Sequence, residues 1–161
     1  MVLRQVSVKF NVDVAVSTKF LSKAVVVETG EGGLVFACSQ KVNTTLPFQA
    51  KAKAIKWALT LATNLELEAI IIKSDSQVCS NLLYDLEADP PWRIKSIYAD
   101  SQILLASSPK ISVCWVPRLC NMAPYSLAKW SLASNFFGSF DFGNNPPSFV
   151  FVIQDETCLP V

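Results

Sequence analysis

Val6, Val8, Phe10, Val12 and Val14 alternate with Ser7, Lys9, Asn11 and Asp13 near the start of the chain. A repeat of two marks a half-buried strand, and it places Asp13 on the polar-facing set. β-Branched residues crowd residues 23–29, Gly30, Gly32 and Gly33 make a turn, and a third strand is predicted over 34–41. Neighbours joined this tightly predict an antiparallel meander. The pattern then lengthens to the helical period. Across residues 50–64, Ile55, Ala58, Leu59, Leu61 and Ala62 share a face with Leu65, Lys53, Lys56 and Thr60 lie on another, and Pro47 precedes the start.

Residues 69–73 hold three consecutive isoleucines, typical of a strand buried on both faces, and run into Ser74-Asp75-Ser76. A second helix is predicted from Ser76 to about Leu86, capped by Asp75 or Ser74, with Val78, Leu82, Leu83 and Leu86 inward. Asp89-Pro90-Pro91 stops it. Trp92, Ile94, Ile97, Tyr98, Leu104 and Leu105 mark a third helix, residues 110–117 a fifth strand, and residues 121–133 a last helix. The order β-β-β-α-β-α-α-β-α predicts an α/β domain: a mixed five-stranded sheet with helices on its faces. One domain is expected over residues 6–133. Residues 134–161, with Phe136, Phe137, Phe140, Phe142 and Pro146-Pro147, form an aromatic tail packing on it or extending from it.

Composition narrows the chemistry. At 161 residues, with 51% hydrophobic and 17% charged, the chain suits one compact domain. No apolar run approaches the roughly 20 residues needed to cross a bilayer, and the first sixteen residues lack a secretory pattern. Cys38, Cys79, Cys114, Cys120 and Cys158 are scattered without a CxxC pair, so neither a disulfide framework nor a zinc site is signalled. An intracellular, reducing location, nuclear or cytoplasmic, is the expectation, with no membrane contact. A net charge of +1 requires any nucleic-acid affinity to be local. The chain has no histidine, which removes Ser-His-Asp and Cys-His nucleophiles and leaves carboxylate chemistry. Trp57, Trp92, Trp115 and Trp130 are read as packing, with Trp115 the one placed to meet a nucleotide.

The segment VKFNVDVAVS, residues 8–17, resembles the first strand of plant ribonuclease H-like domains, where lysine and asparagine precede Asp-Gly-Ala; Val14 stands for that glycine. IKSDS, residues 72–76, resembles the family's ESDS strand end. Val116-Pro117-Arg118 with Asn121 resembles its HVPREAN stretch, Trp115 replacing the histidine, and Pro146-Pro147-Ser148-Phe149 is similar to its tail. Over nearly its whole length the chain resembles a ribonuclease H-like domain of the plant retroelement-derived kind.

The resemblance implies hydrolysis of the RNA strand of an RNA–DNA hybrid by two Mg2+ or Mn2+ ions about 4 Å apart. It also implies four carboxylate ligands. Asp13 matches the aspartate of the first strand and Asp75 the one ending the fourth. Lys51, in AKAKAIKWAL, occupies the glutamate position, and Tyr125, in Pro124-Tyr125-Ser126-Leu127-Ala128, the aspartate position of the last helix. Lys51 heads the stripe of Ile55, Ala58, Ala62 and Leu65, which sets it over the sheet, ready to pair with Asp13 or Asp75. Trp115, Arg118 and Asn121 are expected beside the cleft. The expectation is a degenerate copy that binds no metal and does not cut, yet keeps weak affinity for an RNA–DNA hybrid or double-stranded RNA. Two alternatives stand beside it: a protein-interaction module built on the cleft and tail, and a weakly active nuclease rescued by Asp141.

Overall fold

A computed structural model describes residues 7–44 and 46–140. Its strands are β1 (Ser7–Val16), β2 (Leu21–Thr29), β3 (Leu34–Val42), β4 (Ala69–Ser74), β5 (Ile111–Trp115) and β6 (Gly138–Phe140). The α-helices are α1 (Pro47–Thr63), α2 (Gln77–Leu82), α3 (Trp92–Ala106) and α4 (Met122–Ser134), with a 3-10 turn at Arg118–Cys120. They build one sheet in the order β5-β4-β1-β2-β3-β6. β1 is its hinge between two regimes, antiparallel to β2 and parallel to β4. The predicted mixed sheet is present, but with six strands where five were expected. Asn135 takes a left-handed conformation (φ 50°) and Gly138 a positive φ of 142°, turning the chain after α4 so that Ala37 to Ser39 of β3 pair with Phe140 to Gly138. Three residues carry no detectable periodicity, so this strand left no pattern in the sequence.

The sheet separates two cores. On one face Phe10, Val12, Val25, Ile70 and Ile72 pack against Ile55, Ala58 and Leu59 of α1 and Ile94 and Tyr98 of α3. On the other Ala15, Ala24, Val26 and Ala37 meet Ala123, Leu127 and Ala128 of α4. Small side chains let this helix lie close, and the Ser39 and Ser131 hydroxyls bond at 2.7 Å between β3 and α4. Asn11 and Asp13, the polar set of β1, are consequently buried instead of solvated.

The second helix departs from expectation. It ends at Leu82, and the chain continues in turns from Asn81 to Ala88, where the Asp85 carboxylate accepts from the Glu87 N–H. Leu86 is therefore 85% exposed and Val78 57%, not inward. The cap is Ser76, whose hydroxyl accepts from the Cys79 N–H, so neither Asp75 nor Ser74 is spent there. Trp57 and Trp130 pack as expected, whereas Trp92 is 76% exposed. Cys38, Cys79 and Cys114 are free, but Cys120 is disulfide-bonded, a correction to the reading of the cysteines as unpaired. Val6, Asp141, Phe142, the Pro146-Pro147 segment and Cys158 lie outside the described residues. At the outer margin of β5, the Tyr84 hydroxyl accepts from the Val113 N–H at 2.7 Å. No helix among the described residues is long and apolar enough to cross a membrane.

Candidate functional site

β1 and β4 run parallel with Val12 opposite Ser74, so the next residue on each, Asp13 and Asp75, emerges at the same level at the C-terminal ends of neighbouring strands. Asp13 is 3% exposed; one carboxylate oxygen, Oδ1, accepts from the Val14 N–H at 2.8 Å and the other, Oδ2, has no hydrogen-bond partner. Burial, and secondly the nearby Asp75 charge, push its acid up to about 7; the Val14 N–H, Lys51 and Arg118 pull the other way without offsetting them.

Asp75 is the meeting point of two cations. Lys51 reaches it from α1, with Nζ 3.6 Å from Oδ1, and Arg118 from the 3-10 turn, with Nε 3.7 Å from Oδ2. Both distances are too long for a good hydrogen bond, and Asp75 Oδ1 indeed lacks one. The pairing is therefore one of charge, across a carboxylate whose side chain is only 6% exposed. Lys51 thus stands where the sequence placed it.

Tyr125 takes another route to the site. Its ring packs with the α4 core and carries the Arg118 guanidinium 4.6 Å from its centroid, with Lys129 Nζ at 5.9 Å. It holds the arginine that holds Asp75. Asn121 is fully buried, and its Nδ2 donates to the Val12 carbonyl at 2.8 Å, tying the start of α4 to β1 next to Asp13; its Oδ1 has no partner. Trp115, 43% exposed, donates from Nε1 to the Asp75 carbonyl at 3.2 Å and steadies that backbone. Lys129 escaped the sequence reading, although its position one helical turn after Tyr125 was a usable signal.

The residues present do not fit a pair of divalent ions. Such ions need several hard oxygen ligands each. Here two carboxylates converge, and one of them already faces an ammonium and a guanidinium. Among the described residues no group of three or more histidine, cysteine, aspartate or glutamate side chains could hold a metal. The arrangement can instead present positive charge, from Lys51, Arg118 and Lys129, above buried acidic residues.

The sequence model of the reverse transcriptase-like family matches residues 11–131. No curated protein matches the chain. Among solved structures it is similar to ribonuclease H1 from the halophilic archaeon Halobacterium salinarum, at 23% identity and TM-score 0.69, over 80% of this chain and 98% of that one. It is similar to LC11 ribonuclease H1, isolated from compost and solved with an RNA/DNA hybrid, at 14% identity and TM-score 0.68, over 81% and 98%. A foamy viral protease-reverse transcriptase solved with double-stranded DNA aligns at 14% identity and TM-score 0.61, over 78% and 92%. At these identities the likeness is one of fold.

Proposed function

The chain belongs to the reverse transcriptase-like family, and we propose that within it this domain is a ribonuclease H scaffold that retains nucleic-acid binding and has lost two-metal cleavage of RNA. The observation that carries the reading is the Lys51 ammonium 3.6 Å from Asp75, in the position the resemblance assigns to a catalytic glutamate. An ammonium about 4 Å from a divalent ion is opposed by roughly 8 kcal/mol at an effective dielectric near 20, which cancels the attraction of about one carboxylate at the same distance. Tyr125, a phenol, occupies the sequence position that the resemblance assigns to the fourth carboxylate. Binding is supported by the company the fold keeps: LC11 ribonuclease H1 was solved on an RNA/DNA hybrid and the foamy viral enzyme on double-stranded DNA.

Each retained residue keeps work to do without a metal. Asp75 gathers Lys51 and Arg118, Tyr125 fixes the guanidinium, Trp115 holds the Asp75 backbone, and Asn121 fastens α4 to the strand bearing Asp13. The test is cleavage of a labelled RNA–DNA hybrid in Mg2+ or Mn2+. Purified chain is expected to leave the RNA strand intact, and Lys51→Glu combined with Tyr125→Asp to gain activity. Metal-dependent cutting by the natural chain, abolished by Asp75→Asn, would overturn the reading.

A further inference from the structure

Lys51 and Arg118 approach one carboxylate from opposite walls, α1 and the turn before α4. Lys51 and Arg118 bring two positive charges to Asp75, with the Asp13 carboxyl buried beneath them. Neither contact uses up the donors. Lys51 holds Asp75 by charge at 3.6 Å, and Arg118 turns Nε to it, which leaves the guanidinium's two terminal nitrogens for a ligand. The side chains are 28% and 58% exposed, so both are partly open to solvent while anchored. The Tyr125 ring fixes the plane of the guanidinium, and Lys129 adds a third cation beside that ring. With a net charge of only +1 over the whole chain, this is a local concentration and not a general basic surface.

Resting on the nucleic-acid reading above, we propose that Lys51 and Arg118 form a two-pronged clamp that grips one phosphodiester of a nucleic-acid backbone directly, with no divalent ion between. A phosphodiester fits because its two free oxygens carry one negative charge and only accept hydrogen bonds, which the ammonium and the forked guanidinium both donate. Trp115, exposed beside Asp75, stands where a sugar or base next to that phosphate would pass. Binding through the clamp carries no sequence information and is sensitive to salt.

Fluorescence anisotropy of a labelled RNA–DNA hybrid with the full chain, in EDTA and in millimolar Mg2+, tests the clamp. Binding is expected in EDTA and is not strengthened by Mg2+. Lys51→Met and Arg118→Met should each weaken binding roughly tenfold and lower the slope of log affinity against log salt by about one. Lys51→Arg should restore both, and Lys56→Met, whose lysine pairs with Asp100 on α3, should change neither. Thermal melts of each variant verify folding; should Lys51→Met not fold, Lys51→Gln replaces it. Unchanged affinity in both the Lys51 and Arg118 variants overturns the clamp and leaves the nucleic-acid reading standing. Absence of binding by the natural chain in either buffer overturns both. Binding that appears only with Mg2+ overturns the clamp and the loss of the metal site together.

Discussion

At the bottom of the site, Asp13 Oδ2 and Asp75 Oδ1 are buried acceptors with no hydrogen-bond donor, and Asn121 Oδ1 close by is a third. At its rim, Lys51 and Arg118 carry more donors than Asp75 can use. A buried acceptor left unpaired costs about 1–3 kcal/mol, so three of them is a heavy load for one end of a small sheet. The rim relieves that load through its field, not through hydrogen-bond geometry, and it is partly open to solvent where the bottom is buried. The contrast teaches that Lys51 and Arg118 serve the fold as counter-ions before they serve any ligand. The two regions should accordingly respond to mutation with opposite signs.

Reversing the rim breaks the contrast most severely. Lys51→Glu places a third acid against two buried ones and should lower unfolding free energy by about 4 kcal/mol in EDTA, measured by urea denaturation. Relieving the bottom should do the reverse. Asp13 holds its proton to about 7 in the folded chain, whereas the unfolded residue loses it near its ordinary value of 3.8. Its stabilising share is thus whole below about pH 4, falls as pH climbs toward 7, and is flat above. Asp13→Asn should remove this slope and stabilise the chain at pH 8 by roughly 3 kcal/mol, with the urea midpoint against pH as the readout.

Two smaller changes sharpen the boundary between the regions. Asn121→Ala strips the Val12 carbonyl of its donor inside the protein and should cost about 2 kcal/mol, visible as faster amide exchange at the start of α4. Trp115→Phe removes a half-exposed hydrogen bond to the Asp75 carbonyl and should cost less than about 1 kcal/mol by thermal melt.

The parts of the fold legible in the sequence were those with a sustained period. β1 showed its alternation over nine residues, α1 its apolar stripe, and β4 its isoleucine run. β6 was illegible because three residues hold no period and its partner lies about a hundred positions away. The end of α2 was misread because Leu86 continues a helical spacing that Asp85 interrupts with a local side-chain bond. At the site, motif resemblance and the α1 stripe suggested that Asp13, Asp75 and Lys51 lie near one another. They could not place the Arg118 guanidinium on Tyr125, since that contact joins a turn to a helix, nor the burial of Asp13 in mid-sheet between β2 and β4.

The margins of the sheet carry a consequence of their own. An outer strand with bare amides is a template on which a foreign chain can extend the ladder, and intermolecular growth begins there. β6 occupies the middle of one margin, and on the other the Tyr84 phenol sits on the Val113 amide. A single oxygen thus interrupts the row of donors that a recruited strand would need, which makes Tyr84 a guard against self-assembly at high concentration.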